Sequence, residues 1–365
     1  MYPRRIRTRG LAAAVLVFAG AVVASLPSAS AHDDKGPIVI GHRGASAYRP
    51  EHTLASYELA ARMGADFVEP DLVSTKDGQL VARHENEIGG TTDVSTRSQF
   101  ADRKKTKVID GTSITGWFTE DFTLAELKTL RAKERIPAIR SRNTLYDGRF
   151  EVPTLQEVID LTRRLSRELH REIGIYPETK HPTYFKTIGL PLEPKLVDVL
   201  NRNGLNRRNA KVFVQSFEVA NLKELNKSLR VPLVQLVNGS GAPYDFVVAG
   251  DKRTYADLVT PAGLREIRSY ADGVGLTKDL IIPRDSNGFL KQPTTVVKDA
   301  HKAGLIVHAW TFRNENSFLP ADFRSSTDPA AYGRAFEEYD LFFKTGLDGL
   351  FADNPDTAVE AKVKR

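Results

Sequence analysis

Residues 38–53 read Ile38-Val-Ile-Gly-His-Arg-Gly-Ala-Ser-Ala-Tyr-Arg-Pro-Glu-His-Thr53. The apolar run that opens this stretch is continuous, which predicts a strand buried on both faces. His42 and Arg43 follow it at once in a glycine turn, and a helical pattern over 53–63 comes next. The stretch therefore predicts one strand–turn–helix unit with charged side chains where the strand ends.

The same alternation of strand and helix recurs along the chain. Continuous apolar runs predict buried strands over 38–41, 67–73, 174–178, 211–215, 233–237, 273–276, 305–310 and 349–352. Helical patterns fall between and after them, over 53–63, 154–170, 193–203, 218–229, 261–270, 294–303, 332–345 and 356–364. Eight strands alternating with eight helices predict an α/β fold, a (β/α)8 TIM barrel.

A ninth apolar run, 80–84, follows the strand at 67–73 too closely to be another parallel strand, because a parallel crossover needs a dozen or more residues. The run must therefore fold back as a hairpin. The Asp-Gly pair at 77–78 is a strong two-residue hairpin turn. Centring the hairpin there places His84 across from Asp71.

Residues 85–150 form the one long interruption of the alternation, and they are polar and rich in glycine, threonine and arginine. A loop of this length at strand ends is usually functional. We expect it to be a cap inserted at the C-terminal face of the barrel, after the second strand, with one helix over 123–133. The domain prediction is then a single barrel over 32–365.

The first thirty-one residues predict an export signal that is not part of the fold. Four arginines, at positions 4, 5, 7 and 9, precede an apolar run over 11–26, and Ala29-Ser-Ala31 offers a small-residue cleavage site. A membrane anchor is the competing interpretation, but the run is shorter than the roughly twenty residues that span a bilayer. We expect a mature chain from about His32, secreted or periplasmic and without a transmembrane segment. The export route, Sec or twin-arginine, is left open.

Composition excludes some classes of function. Removing the leader lowers the formal net charge from +6 to +2, because it carries four arginines and no acidic residue. No stripe of lysine and arginine interleaved with aromatic residues follows, so nucleic-acid binding is not expected. The chain has no cysteine, which excludes disulfides and thiolate metal sites. A large apolar core must hold the fold, and the oligomeric state is left open.

Three carboxylates fall at predicted strand ends. Glu69 and Asp71 share one face of their strand because side chains alternate with period two, and Glu178 ends the strand at 174–178. In a barrel of this class the C-terminal strand ends form the active site. Three carboxylates in one barrel mouth repel one another, and a divalent cation resolves that repulsion. Oxygen ligands favour Ca²⁺ or Mg²⁺; an ion pair of each carboxylate with Arg or Lys is the alternative.

Two histidines lie at the same predicted mouth. His42 and His84 are candidates for a general acid and a general base, because imidazole titrates near neutral pH. For each, a structural hydrogen-bonded histidine is the alternative. Five further histidines lack such neighbours and are assigned no catalytic role: His52, His170, His181, His301 and His308.

Two cations complete the candidate site. Arg43 and Lys180 suit a phosphate or phosphodiester, since a guanidinium binds two oxygens and an ammonium binds one. The alternative is that each is an ion-pair partner of a nearby acid, Glu51 for the first and Glu178 for the second; Glu51 is therefore a supporting residue. Two aromatic residues at strand ends are candidate pocket walls, with burial in the core as the alternative: Phe217 and Trp310.

At these residues the chain resembles the glycerophosphodiester phosphodiesterase family, and within it the exported, calcium-dependent bacterial branch. The resemblance covers nearly the whole chain after the leader. It rests on His42-Arg-Gly44, Pro50-Glu-His-Thr53, Glu69-Pro-Asp71, Thr75-Lys-Asp-Gly78, His84-Glu85, Ile173-Gly-Ile-Tyr-Pro-Glu-Thr-Lys180, Val214-Gln-Ser-Phe217, Trp310-Thr311 and Asp348-Gly-Leu-Phe-Ala-Asp-Asn-Pro355. It implies one divalent cation, Ca²⁺ before Mg²⁺, on Glu69, Asp71 and Glu178; acid–base catalysis by His42 and His84; and phosphate binding by Arg43 and Lys180.

Two positions depart from the pattern of the broader family. His52 stands where an asparagine is common and Glu85 where an aspartate is usual, and we expect neither to contact the metal ligands or the catalytic histidines. The resemblance implies hydrolysis of glycerophosphodiesters to sn-glycerol 3-phosphate and an alcohol. Polyglycerol-phosphate wall polymer, a lysophospholipid or a sphingolipid are alternative substrates on the same fold. A non-catalytic secreted binding protein is the alternative of another class.

Overall fold

The computed structural model describes residues 36–363, which form one compact unit. The predicted signal peptide, 1–31, with its cleavage site near Ala31, lies outside the described residues. So does the last residue of the helix predicted over 356–364. Among residues 36–363, no helix combines the length and the apolar character needed to cross a bilayer.

The strands alternate with helices as predicted. The strands are β1 Ile38–Gly41, β2 Phe67–Val68, β3 Asp71–Ser74, β4 Leu80–Ala82, β5 Lys105–Ile109, β6 Thr112–Gly116, β7 Gly174–Ile175, β8 Glu178–Thr179, β9 Val214–Ser216, β10 Leu233–Val237, β11 Gly273–Thr277, β12 Ile306–Phe312 and β13 Gly349–Ala352. The helices are α1 Leu54–Arg62, α2 Leu124–Leu127, α3 Leu155–Glu168, α4 Pro182–Thr187, α5 Leu192–Arg202, α6 Val219–Leu225, α7 Tyr244–Ala249, α8 Tyr255–Leu258, α9 Pro261–Arg268, α10 Lys278–Ile281, α11 Val296–Lys302, α12 Ala335–Phe343 and α13 Pro355–Val363.

Parallel pairing curls the main sheet. β1 pairs with β2 on one side and with β13 on the other, and pairing continues from β3 through β8 and the later strands to β13. Two predicted strands are each divided in two, β2/β3 and β7/β8, and each break contains a proline, Pro70 or Pro177. Proline has no N–H for the ladder, which explains the breaks. The curled α/β sheet is consistent with the predicted (β/α)8 barrel.

The core has two parts because adjacent strand residues point to opposite faces of the sheet. Val39 belongs to the large hydrophobic cluster that the helices contact, whereas its neighbour Ile40 belongs to a small cluster on the other face. That small cluster includes Phe67, Tyr176 and Phe351, all almost fully buried. Burying a side chain of this size contributes about 1.5–3 kcal/mol. The aromatic cluster therefore packs the concave face of the sheet beneath the strand ends.

The hairpin of β3 and β4 forms as predicted, but its register was predicted wrongly by one residue. Leu72 pairs with Ala82, and the Arg83 N–H donates to the Asp71 carbonyl at 2.9 Å. His84 therefore does not lie across from Asp71. The loop has three residues rather than two, with Gly78 in the left-handed region at φ +70°, a geometry typical of three-residue hairpin loops.

The segment 85–150 contains an unpredicted hairpin, β5 and β6, and a helix shorter than predicted. α2 covers Leu124–Leu127, not 123–133. Beyond it, Arg131 exchanges hydrogen bonds with Asp93: the Asp93 N–H donates to the Arg131 carbonyl, and the Arg131 N–H donates to the Asp93 carboxylate, both at 2.9 Å. These bonds draw the chain out of the helix. The interpretation of 85–150 as a cap stays a prediction.

Candidate active site

Three carboxylates meet where β2/β3 and β8 lie side by side. Glu69 lies in the break between β2 and β3, and the sheet register pairs Asp71 directly with Glu178. One carboxylate oxygen from each residue lies within 4.8 Å of the others, and all three side chains are buried. The parallel register therefore brings together the carboxylates that the strand ends predicted.

Burial makes this cluster electrostatically costly. Burial, followed by the charges of Asp71 and Glu178, raises the pKa of Glu69 well above its usual range. Burial also raises the pKa of Asp71 above its ordinary value, and that of Glu178 to about 7. The buried Asp71 Oδ1 has no hydrogen-bond partner. A buried acceptor beside two other carboxylates needs a positive charge, and this all-oxygen donor set fits Ca²⁺ or Mg²⁺.

Neighbouring side chains orient the remaining carboxylate oxygens. Gln215 Nε2 donates to Glu69 Oε1 at 2.7 Å, and the Arg43 N–H donates to Glu69 Oε2 at 3.0 Å. His52 Nε2 lies 3.0 Å from Asp71 Oδ2. The expectation that His52 avoids the predicted metal ligands is therefore wrong. Its ring is fully buried and holds Asp71 directly.

His42 follows β1 and lines the cavity. One of its ring nitrogens, Nδ1, is bound to a carboxylate, and the other, Nε2, is not. Its Nδ1 lies 2.5 Å from Asp353 Oδ1, and because a carboxylate only accepts, Nδ1 donates. Its Nε2 lies 3.9 Å from Glu69 Oε2 and 3.5 Å from Thr311 Oγ1. Burial, and then the charge of Arg43, lowers the pKa of His42 to about 4. The ring is thus neutral, with Nε2 able to accept a proton.

His84 presents the same arrangement from the other side. Its Nδ1 lies 2.7 Å from Glu85 Oε1 and its Nε2 lies 3.4 Å from Lys180 Nζ. An ammonium has no acceptor, so Nε2 accepts and Nδ1 carries the proton. Burial, and then the charges of Arg43 and Lys180, lowers the pKa of His84 well below its usual range.

Both predicted phosphate-binding cations are ion-paired, as the alternatives allowed. Arg43 Nη1 lies 3.2 Å from each Glu51 oxygen, and Arg135, from the 85–150 segment, donates to Glu51 Oε2 at 2.8 Å. Lys180 Nζ lies 3.1 Å from Glu178 Oε1. Arg43 Nε is nevertheless buried without a hydrogen-bond partner. The pairs therefore fix the cations beside the carboxylates, and Arg43 Nε faces Asp71 Oδ2 at 3.6 Å.

These side chains line one cavity of about 360 Å³, a size typical of small-molecule sites. Phe217 and Trp310 form part of its wall, with ring centroids 5.7 Å apart in an edge-to-face contact. Trp310 Nε1 donates to the Gly275 carbonyl at 2.9 Å. The other predicted site residues on the wall are His42, Arg43, Glu69, Asp71, His84 and Glu178. Lys180 lies behind Glu178, and its Nζ is 5.7 Å from the centroid of the Phe217 ring.

Comparison with known proteins identifies the family. The glycerophosphoryl diester phosphodiesterase family matches residues 42–357. The glycerophosphodiester phosphodiesterase GDPD6 of Arabidopsis thaliana is 36% identical, with 90% of this chain and 88% of that protein covered. The chain belongs to the glycerophosphoryl diester phosphodiesterase family. It is therefore an enzyme, a phosphodiesterase, and the alternative of a non-catalytic binding protein is not supported.

A second relative agrees with this assignment, and two solved structures share the fold. The glycerophosphodiester phosphodiesterase of Haemophilus influenzae is 30% identical, with 96% of both chains covered. A phosphodiesterase of Oleispira antarctica, solved in complex with the product sn-glycerol-3-phosphate, superposes with a TM-score of 0.57 at 21% identity, covering 90% of this chain and 97% of that one. The Thermotoga maritima enzyme superposes with a TM-score of 0.52 at 17% identity, covering 89% and 97%. At such identities the structures show a shared fold.

Sequence reasoning missed Asp353, which the phosphodiesterase places against His42. Asp353 follows β13 just as the other site residues follow their strands, so the strand-end rule could have found it. Arg140 donates to Asp353 Oδ2 at 2.6 Å and Arg313 donates to it at 2.8 Å. Burial works against ionisation, but Arg313, Arg140 and His42 together hold the pKa of Asp353 well below its usual range. No local signal links Arg140, in the 85–150 segment, to this carboxylate.

Sequence reasoning also excluded Glu85 wrongly from contact with the catalytic histidines. Glu85 Oε1 accepts from His84, and Glu85 Oε2 lies 2.9 Å from His181 Nε2. The signal for this contact was the position of Glu85 directly after the strand-end histidine, because a glutamate side chain is long enough to reach the ring of the preceding residue. His181 was assigned no catalytic role, and it lies one residue beyond Lys180.

Proposed function

We propose that the enzyme hydrolyses glycerophosphodiesters to sn-glycerol 3-phosphate and an alcohol, in a (β/α)8 barrel that carries residues 85–150 as an inserted cap. One observation carries this proposal: His42, His84 and the cluster of three carboxylates all line a single cavity with Arg43. Each histidine directs an unprotonated Nε2 away from its carboxylate partner. Two proton-transfer groups that flank a cation site suit cleavage of a phosphodiester.

Glu69, Asp71 and Glu178 would hold one divalent cation. We infer Ca²⁺ before Mg²⁺, because Ca²⁺ accepts irregular sets of carboxylate oxygens, whereas Mg²⁺ demands near-octahedral geometry and retains waters. A bound cation supplies positive charge that polarises the phosphodiester. The family resemblance to the calcium-dependent branch supports the same choice.

His42 and His84 would transfer the protons. One imidazole Nε2 accepts the proton of the attacking hydroxyl, and the carboxylate at its Nδ1, Asp353 or Glu85, stabilises the imidazolium that forms. The other histidine gives a proton to the leaving alkoxide. Because both Nε2 atoms are unprotonated in the free protein, that histidine must first take up a proton at Nε2 together with the anionic substrate. The attacking hydroxyl is either the substrate's own glycerol hydroxyl, which forms a cyclic phosphate, or water.

Arg43 and Lys180 would bind the phosphate. Arg43 is held by Glu51 through Nη1 and lies 3.6 Å from Asp71 Oδ2 through Nε. It lines the cavity, where a guanidinium can donate to a phosphate oxygen. Its backbone adopts the left-handed region at φ +58° directly after His42. This sharp turn places two consecutive side chains at the same strand end. His42 can accept a proton there, and Arg43 can donate a hydrogen bond to the phosphate.

The test is release of glycerol 3-phosphate from glycerophosphocholine by the wild type and by His42→Ala, His84→Ala and Glu69→Gln. Each assay is run with Ca²⁺, Mg²⁺ or EDTA, with Glu224→Gln, an exposed partner of Lys227, as the matched control. We expect large losses in the three site variants and in EDTA, and none in the control. Full activity in any site variant would overturn the proposal. Faster turnover of polyglycerol phosphate, a lysophospholipid or a sphingolipid would assign the site to that substrate instead.

We further propose that the enzyme is exported and works outside the cytoplasm. The arginine-rich leader, its apolar run and Ala29-Ser-Ala31 support this proposal. Expression of the full chain followed by N-terminal sequencing of the extracytoplasmic protein would then give a start near His32. A cytoplasmic protein that keeps Met1 would contradict export. Replacing Arg4 and Arg5 by lysine would block only twin-arginine export, which distinguishes the two routes.

A further inference from the structure

His181 lies between two carboxylates just behind His84. Its Nδ1 lies 2.6 Å from Asp110 Oδ2 and its Nε2 lies 2.9 Å from Glu85 Oε2. Both partners only accept, so both ring nitrogens donate and the ring carries two protons. Burial alone would lower the pKa of His181, but the hydrogen bonds to Asp110 and Glu85 outweigh it and raise the pKa to about 9.

A continuous chain of charge-assisted hydrogen bonds therefore ends at the cavity. It runs from Asp110 to His181, from His181 to Glu85, and from Glu85 Oε1 to His84 Nδ1 at 2.7 Å. Every ring N–H in the chain meets a carboxylate oxygen, whereas Asp110 Oδ1 is buried without a partner. Its last bond decides which nitrogen of His84 faces the cavity.

The backbone directs both supporting side chains toward this chain. His181 and Asp110 adopt left-handed backbone conformations, at φ +49° and +46°, which are uncommon for residues other than glycine. Asp110 and Gly111 form the two-residue turn between β5 and β6, with Ile109 paired to Thr112. An Asp-Gly pair with both φ angles positive is the turn that such a hairpin favours. His181 and Asp110 thus both lie at left-handed positions, and their side chains contact each other at 2.6 Å.

Glu85 needs such support because its side chain is 43% exposed. A solvated glutamate retains several rotamers, and most of them would break the bond to His84. The doubly protonated His181 offsets that freedom with a charge-assisted hydrogen bond. An aspartate at position 85 is one methylene shorter, so we expect it to contact only one of the two histidines.

We propose that His181 and Asp110 are positioning residues that hold Glu85 against His84 and thereby keep the unprotonated His84 Nε2 directed into the cavity. The inference rests on the proposed catalytic role of His84. It gives the 85–150 segment an indirect part in the reaction, since the hairpin of β5 and β6 supplies Asp110, which acts through His181. The hydrogen-bond chain from Asp110 to His84 therefore acts on the phosphodiester bound at the site already described.

The test compares His181→Asn, Asp110→Asn and the double variant with wild type on glycerophosphocholine in saturating Ca²⁺. Asparagine tolerates the left-handed conformation at both positions, so the backbone is preserved. His301→Asn is the matched control. His301 Nε2 forms a comparable pair with Asp348 Oδ2 at a distance of 2.8 Å, and neither residue lines the cavity. Spectra of histidine labelled with ¹⁵N report the tautomer of His84, whose signals are identified by their loss in His84→Ala.

We expect His181→Asn to lower kcat about tenfold with KM within twofold, because misplacing an acid–base group forfeits part of its contribution. His84 should then show a mixture of Nδ1–H and Nε2–H tautomers, and Asp110→Asn should add nothing in the double variant. Wild-type kcat in His181→Asn, an unchanged His84 tautomer, or an equal loss in His301→Asn would each overturn the proposal. Wild-type activity of His84→Ala would overturn the proposed function instead, and the tautomer spectra separate these two failures.

Discussion

Asp353 Oδ1 lies 2.5 Å from His42 Nδ1, although the two residues are 311 positions apart in the chain. The sheet causes this contact: β1 and β13 are parallel neighbours with Gly41 paired to Ala352, so the next residue of each strand emerges at the same place. The carboxylate fixes the His42 tautomer, and Arg140 and Arg313 keep it ionised.

Replacing Asp353 by asparagine should disrupt this pair with little change in shape. We expect Asp353→Asn to lower kcat about a hundredfold, because the amide cannot stabilise the imidazolium and can favour the wrong tautomer. Steady-state kinetics on glycerophosphocholine measure the effect. Asp348→Asn, at the opposite end of β13, is the control and should keep kcat. Equal kcat values in the two variants would show that Asp353 does not act through His42.

His52 should influence the cation through Asp71. His52→Ala removes the hydrogen bond from His52 Nε2 that orients Asp71 Oδ2. We expect the Ca²⁺ affinity to fall about tenfold, because loss of a contact that orients a metal ligand typically has an effect of this size. Isothermal titration calorimetry measures the affinity, with His301→Ala as the control. Unchanged Ca²⁺ affinity in His52→Ala would contradict this role.

Ca²⁺ should stabilise the folded protein through the carboxylate cluster. At a concentration one hundred times the dissociation constant, a ligand that binds only the folded state stabilises it by about 2.7 kcal/mol. We therefore expect thermal melting of wild type to rise with Ca²⁺ and to fall in EDTA, whereas Glu69→Gln should respond far less. The Glu224→Gln control should respond like wild type. A Ca²⁺ shift of wild-type size in Glu69→Gln would place the cation elsewhere.

The metal-free protein should lose stability between about pH 4.5 and pH 7 because of Glu178. Its pKa is about 7 when folded, against an ordinary value of 4.5. The folded state therefore retains a proton that the unfolded state loses, and the free energy of unfolding falls as pH rises through that window. The contribution is about 3 kcal/mol, since each tenfold change in proton affinity is worth about 1.4 kcal/mol.

Denaturant unfolding in EDTA at pH 5 and pH 8 measures this loss. Glu178→Gln cannot ionise, so the difference between the two pH values should shrink in that variant. Saturating Ca²⁺ should also reduce it in wild type, because the cation stabilises the ionised carboxylates. A pH dependence that is identical in wild type and Glu178→Gln would contradict the assignment.

Local patterns in the sequence determined the architecture and the principal site residues. Continuous apolar runs predicted the strands, and charged residues directly after them predicted which side chains line the cavity, as found for His42 and Glu69. These predictions succeed because burial on both faces and the abrupt end of a strand each leave a mark within a few residues. The prediction of a two-residue turn at 77–78 was wrong, because an Asp-Gly pair also fits a three-residue hairpin loop.

Only the tertiary structure decided which groups support the site residues. The pairing of Asp353 with His42 depends on the register of the first and last strands. The contacts of Arg140 with Asp353 and of Asp110 with His181 depend on where the 85–150 segment places these two side chains. The physical reason is that hydrogen bonds between side chains are fixed by distances of a few tenths of an ångström across many intervening residues. No composition or spacing encodes such distances locally.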